Sequence, residues 1–89
     1  MTHRILVSAE AQANLAALEL KIQRRIYNKL IFYGKAADPL SFSKPLSGKL
    51  RGLYRFRIGD YRAIFRVLPN GEITILFVLR IEHRSHVYE

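Results

Sequence analysis

The sequence predicts an α+β fold, with a short N-terminal strand, a two-helix hairpin and a mostly antiparallel sheet in the order β-α-α-β-β-β. Three observations predict it. Residues 53–80 alternate apolar and polar side chains and are cut by Gly59-Asp60 and Pro69-Asn70-Gly71, the pattern of strands joined by tight turns. Residues 9–33 instead carry apolar side chains at helical spacing. His3 to Val7 reads as a short strand, with Ile5 and Val7 on one side and Leu6 on the other.

Ser8 follows as a helix N-cap, and Glu10 in the first turn complements the helix dipole. The first helix runs from about Ala9 to Leu20, with Ala11, Leu15, Leu18 and Ile22 on one stripe; the second runs from about Lys21 to Tyr33, with Ile22, Ile26, Leu30 and Tyr33 on one stripe. No Gly or Pro separates them. A break is favoured because two short helices cover a small sheet more compactly than one long one. Gly34 reads as the C-terminal stop. Residues 36–52 read as a loop, punctuated by Asp38-Pro39, Lys44-Pro45 and Ser47-Gly48 and pinned by Leu40, Phe42, Leu46 and Leu50.

The meander gathers charge on one face. In its first strand Tyr54, Phe56 and Ile58 lie opposite Arg55 and Arg57, and Gly59-Asp60 suits a two-residue turn with Gly at its first central position. That turn sets Ile58 against Tyr61, Arg57 against Arg62 and Phe56 against Ala63. Tyr61, Ala63, Phe65 and Val67 then extend the apolar face, and Arg62 and Arg66 the basic one. A three-residue loop at Pro69-Asn70-Gly71 would oppose Leu68 to Glu72 and Arg62 to Val78. It sends Ile73, Ile75, Phe77 and Leu79 to the core and Arg80 to the arginine face. The rival, a two-residue Asn-Gly turn, would flip the strand. Like charges directly opposed across strands destabilise the pair, so Arg57 facing Arg62 calls for an anion between them. The plainer reading is a solvated basic face.

Composition limits the function classes. The 89 residues predict one domain, residues 1–89, and 49% hydrophobic content predicts a folded one. A formal charge of +8 points to nucleic acid or another acidic partner. Without cysteine there is no disulfide framework or thiolate metal site, and three histidines supply a metal poorly, so no metal and no cofactor is expected. With no signal-like segment and no apolar run approaching the ~20 residues of a membrane span, a cytoplasmic protein is expected.

Three sequence blocks then occur in order: Lys44-Pro45-Leu46-Ser47-Gly48, Tyr54-Arg55-Phe56-Arg57-Ile58-Gly59-Asp60-Tyr61-Arg62-Ala63-Ile64-Phe65, and His83-Arg84 with Val87-Tyr88. Together they resemble the RelE/ParE superfamily of bacterial toxin–antitoxin toxins, closest to its RelE branch, over nearly the whole chain. The resemblance implies a RelE-like fold and a toxin that enters the ribosomal A site and cleaves messenger RNA by attack of a ribose 2′-hydroxyl on the adjacent phosphate. Such chemistry needs a proton acceptor, cations on the developing phosphorane and an acid for the leaving oxygen. By resemblance, Arg62 matches a phosphate-stabilising arginine, Arg55 and Arg57 stand where relatives carry basic residues, and Tyr88 matches a tyrosine that stacks on or orients the base. His83 and Arg84 match an H-R pair, His83 being a candidate acid or base. Arg80 joins this catalytic set, and Lys44, Lys49, Arg51, Arg66 and Arg84 are candidate RNA contacts.

The implied partners are the 70S ribosome with its messenger and an acidic cognate antitoxin from a neighbouring gene. The chain departs from the family pattern at Glu82, where many relatives have glycine or a basic residue, so that Glu82 needs Arg80 or Arg84 as a partner. It departs again at Lys44, where one subgroup has a glutamate base, and in ending one residue after Tyr88. Two readings compete with the nuclease: a ParE-like inhibitor that binds DNA gyrase and cuts nothing, and a decayed toxin that only binds. For Arg24, Arg25 and Lys29 the simplest reading is a solvated helix face.

Overall fold

The computed structural model describes residues 2–71 and 73–86. Strand β1 (Thr2–Val7) leads into helices α1 (Ala9–Ala16) and α2 (Leu20–Lys35). Strands β2 (Ser43–Pro45), β3 (Tyr54–Ile58), β4 (Tyr61–Asn70) and β5 (Ile73–His83) follow. They form one five-stranded sheet in the order β1-β5-β4-β3-β2, antiparallel except for the parallel β1–β5 pair. The expected α+β architecture is present, with an additional strand.

That strand is β2, within the segment expected to be loop. Only three residues long, it pairs Lys44 with Arg55 and Pro45 with Tyr54 at the sheet edge. Short 3-10 turns at Pro39–Phe42 and Gly48–Leu50 flank it. So brief an edge strand, ending in proline, leaves no alternation to read.

The expected break between the helices is real. Helix α1 stops at Ala16, and the Gln23 side chain donates to the Leu18 carbonyl at 2.9 Å, satisfying backbone that the interruption releases. Gly34, in contrast, is no stop: α2 continues through Lys35 and Ala36 caps it. A Cβ on Gly34 would lie 3.0 Å from Ile5 Cγ1, so the glycine is there for close approach of α2 to β1.

The core lies between the helices and one sheet face. Ala11, Leu15, Ile26, Leu30 and Tyr33 meet Phe56, Ile58, Ala63, Phe65, Leu76, Val78 and Ile81 there. Its centre is a stack of rings. Phe56 lies 4.3 Å from Tyr33 and 4.2 Å from Phe65, centroid to centroid, and Tyr54 lies 5.7 Å from Phe65. Such contacts add to burial and lock the β3–β4 register. That register is the expected one: Ile58 pairs with Tyr61, Arg57 with Arg62 and Phe56 with Ala63.

The β4–β5 register differs from expectation. Asn70 pairs with Ile73 and Leu68 with Ile75, so two residues connect the strands, the first being Gly71 at φ +65°. Pro69 lies inside β4, where β3 no longer flanks it, so its missing N–H breaks no β3 ladder. The odd register turns Leu76 and Val78 to the core instead of Ile73, Ile75, Phe77 and Leu79. Arg80 nevertheless reaches the arginine face, because a bulge restores the parity: Phe65 pairs with Val78, but Ile64 pairs with Arg80.

Helix α1 and its cap secure that bulge. Ser8 Oγ donates to the Leu79 carbonyl at 2.6 Å and accepts from the Ala11 N–H at 3.0 Å, and Asn14 Oδ1 accepts from the Ile81 N–H at 2.9 Å. Backbone groups freed by the irregularity thus find partners on the helix. The last stretch of β5 consequently places Arg80 and Glu82 on the face away from the helices, and Ile81 in the core.

Candidate functional site

Two adjoining clefts open on the sheet face away from the helices. One, about 210 Å³, is lined by Arg55, Arg57, Tyr61, Arg62 and Arg84. The other, about 270 Å³, is lined by Lys44, Pro45, Leu46, Ser47, Arg55 and Arg62. Arg55 and Arg62 form the shared wall, so five cations from β2, β3, β4 and the C-terminal turn border one continuous depression. Its register explains the crowding, with Lys44 directly opposite Arg55 and Arg57 directly opposite Arg62.

Carboxylates offset part of this charge. Glu82 pairs with Arg62 on β4 and presents one oxygen to each of two guanidinium groups: Oε2 lies 2.6 Å from Arg80 Nε and Oε1 lies 3.3 Å from Arg62 Nε. The Arg62 side chain is only 10% exposed, that of Glu82 22% and that of Arg80 33%. Arg80 is therefore on the expected face but acts on Glu82 and lines neither cleft. Of the two partners open to Glu82 on sequence grounds, Arg80 is the one it takes. Arg84 turns to Asp60 instead: its backbone N–H donates to the Asp60 carbonyl at 2.8 Å, and its Nη1 lies 3.8 Å from Asp60 Oδ1. This tie holds the 3-10 turn Arg84–His86 against the β3–β4 turn and brings Arg84 to the cleft.

The remaining candidates are dispersed. His83 pairs with Tyr61 on the helix side of the sheet, ring edge to ring face at 5.0 Å. It borders a separate cavity of about 470 Å³ with Asn14, Ala17, Leu18, Tyr61, Ile81 and Glu82. The Ser85 N–H donates to His83 Nδ1 at 3.1 Å, so the neutral ring carries its proton on Nε2. Arg66 is exposed farther along β4, opposite Phe77, while Lys49 and Arg51 are exposed around the second 3-10 turn; none lines either cleft. Tyr88 lies outside the described residues.

Two participants escaped sequence reading. Alternation puts Tyr61 on the core side, where it does pack, but it also lines both the arginine cleft and the His83 cavity. Its position immediately after the turn, where a strand end is open to both faces, is the signal that identifies it. Asp60, a turn residue by sequence, also anchors Arg84.

Chemically, the depression suits a phosphodiester. Guanidinium groups offer planar forks of donors to phosphate oxygens, and crowded cations are relieved when an anion enters. Among the described residues no group of three His, Cys, Asp or Glu could hold a metal ion, and no helix is long and apolar enough to cross a membrane.

The chain is similar to known proteins over almost its full length. Toxin RelG of Mycobacterium tuberculosis is 28% identical over 88 residues, 99% of this chain and 98% of that protein. The RelBE2 toxin–antitoxin complex of the same organism contains a chain that superposes with a TM-score of 0.72 at 25% identity, covering 94% of this chain and all of that one. An archaeal RelE–RelB complex from Pyrococcus horikoshii gives 0.69 at 26% identity, covering 98% of this chain and all of that one. The family described as the ParE toxin of type II toxin–antitoxin systems matches residues 5–88. By sequence and by fold, the chain belongs to this family of toxins, within the RelE/ParE superfamily.

Proposed function

We propose that this toxin is a ribosome-dependent endoribonuclease that cleaves messenger RNA in the ribosomal A site. The observation that carries the reading is the cleft bordered by Arg55, Arg57, Arg62 and Arg84 on one sheet face. In the proposed reaction a ribose 2′-oxygen attacks the adjacent phosphorus and loses its proton. The bond to the 5′ oxygen breaks, that oxygen gains a proton, and a 2′,3′-cyclic phosphate remains. Negative charge grows on the non-bridging oxygens, where Arg55, Arg57 and Arg62 would stabilise it in a site already built for charge. Guanidinium groups do not deprotonate in proteins, so their part is charge and alignment, not proton transfer.

Primer extension on messenger from cells expressing the chain tests this. Cuts within A-site codons are expected, and intact messenger during growth arrest would overturn it.

His83 gives the non-catalytic alternative a footing, since this candidate acid or base turns to the helix side of the sheet and lines neither arginine cleft. On that reading the chain inhibits DNA gyrase without cutting RNA. Supercoiling by purified gyrase, inhibited by the chain while messenger stays intact, would favour it.

The two complexes named above pair a toxin with an antitoxin. For this chain, an acidic antitoxin from a neighbouring gene is proposed as the resting partner. The outer face of α2 and the turn beyond it expose Leu20, Ile31, Phe32 and Phe42 beside Arg24, Arg25 and Lys29, which suits an amphipathic acidic segment. A complex that co-purifies through high salt is expected, because apolar docking survives screening.

A further inference from the structure

Glu82 is the feature that phosphate binding leaves unexplained: a carboxylate that lines neither cleft, yet reaches from beside them to a guanidinium group, that of Arg62, which lines both. Its two contacts are unequal. The one to Arg80, two residues away on the same strand, is short at 2.6 Å; the one to Arg62, across the sheet, is 3.3 Å. Arg62 lines both clefts, whereas Arg80 lines neither.

We propose that Glu82 is a resident anion, holding at Arg62 the place that a phosphodiester oxygen takes when substrate binds. On binding, Arg62 exchanges the carboxylate for phosphate, and Glu82 remains neutralised by its closer partner. Arg80 is then the keeper that makes the exchange affordable, because an unaccompanied carboxylate beside incoming phosphate would repel it. The arrangement also bears on the like-charge pair. Arg57 faces Arg62 directly, and Glu82 supplies the anion that this like-charge pair calls for until substrate replaces it. The inference rests on the phosphate-site reading and names what regulates that site's affinity.

The test is binding of a short single-stranded oligonucleotide of 2′-deoxyribose, which presents the phosphates but cannot be cut by 2′-attack. Glu82→Gln removes the competitor, so affinity should rise about tenfold, the low end expected for one charge-assisted contact. The slope of log affinity against log salt should steepen by about 0.7, one more phosphate neutralised on a single strand. Arg80→Gln leaves Glu82 dependent on Arg62 and should weaken binding severalfold. The double variant should return towards the wild-type value, a coupling that separate structural damage would not give. Circular dichroism and thermal melts confirm that each variant is folded, and Arg80→Gln carries the test alone if Glu82→Gln is not.

Binding by wild type with no change or a loss in Glu82→Gln would overturn the exchange and make Glu82 a scaffold for Arg62. Arg80→Gln binding as well as wild type would overturn it equally. No binding by wild type would instead sink the phosphate-site reading on which it stands.

Discussion

Arg57→Ala separates function from fold more cleanly than any other substitution in the cleft. Arg57 is exposed, forms one wall of the cleft, and lies directly opposite Arg62 on the neighbouring strand. Like charges in that relation cost about 0.2–1 kcal/mol, so removing one should leave stability unchanged or slightly raised. For a domain of this size 1 kcal/mol moves Tm by about 4–8 °C, so the melt should shift upward by no more than that. On the proposed function, a charge-assisted bond from Arg57 to phosphate would be worth about 1.5–3 kcal/mol, which corresponds to a loss of roughly 10- to 100-fold in cleavage. The assay pairs a thermal melt with messenger cleavage on programmed ribosomes. A Tm lowered by several degrees would refute the electrostatic reasoning, and undiminished cleavage would refute the cleft as the site. Arg62→Ala behaves differently, because Arg62 is nearly buried and shares Glu82 with Arg80. Truncating one member of a buried ion pair costs about 3–5 kcal/mol, an upper bound for this partly exposed group, so its lost activity will come with a markedly lower Tm.

Phe56→Ala empties the centre of the ring stack and should cost about 3–5 kcal/mol. Denaturant titration should show most of the stability gone, together with the register that aligns the arginines. Gly34→Ala should fail to give the ~0.5–1 kcal/mol that alanine normally adds within a helix, since its Cβ would press on Ile5 at 3.0 Å; a melt above wild type would contradict that packing. Burial raises the pKa of the Tyr33 hydroxyl above its ordinary value of 10.0, so the fold favours the neutral form. That contribution is complete below about pH 10 and is lost as pH rises through the folded-state value. Alkaline melts of Tyr33→Phe should therefore fall less steeply with pH than those of wild type.

Local chemistry made much of this molecule readable. The Gly59-Asp60 turn allows a single register, and with it the opposition of Arg57 and Arg62 follows from sequence. Ser8 announces itself as a cap in the same way. The second hairpin is different. Its register depends on a bulge whose backbone groups are satisfied by Ser8 and Asn14, residues 71 and 67 positions away in the chain. No pattern within residues 66–80 encodes those partners, so alternation alone turns Leu76 and Val78 to the wrong face, while Arg80 reaches the expected one by two compensating shifts. Strand β2 was hidden for a similar reason, since three edge residues acquire their structure only from β3. His83 reaches the helix side by simple alternation from Arg80 once β5 is known to run on to it, and the strand's extension past Arg80 is what the sequence did not signal.

The most direct measurement uses purified chain, ribosomes and two messengers that differ only by a 2′-deoxyribose at the nucleotide whose 2′-hydroxyl would attack. The ribose messenger should be cut to a 2′,3′-cyclic phosphate and the deoxy messenger should stay whole, with Arg57→Ala slowing the first reaction. Equal cutting of both, or of neither, would contradict a cleft that activates a phosphodiester for attack by its own sugar.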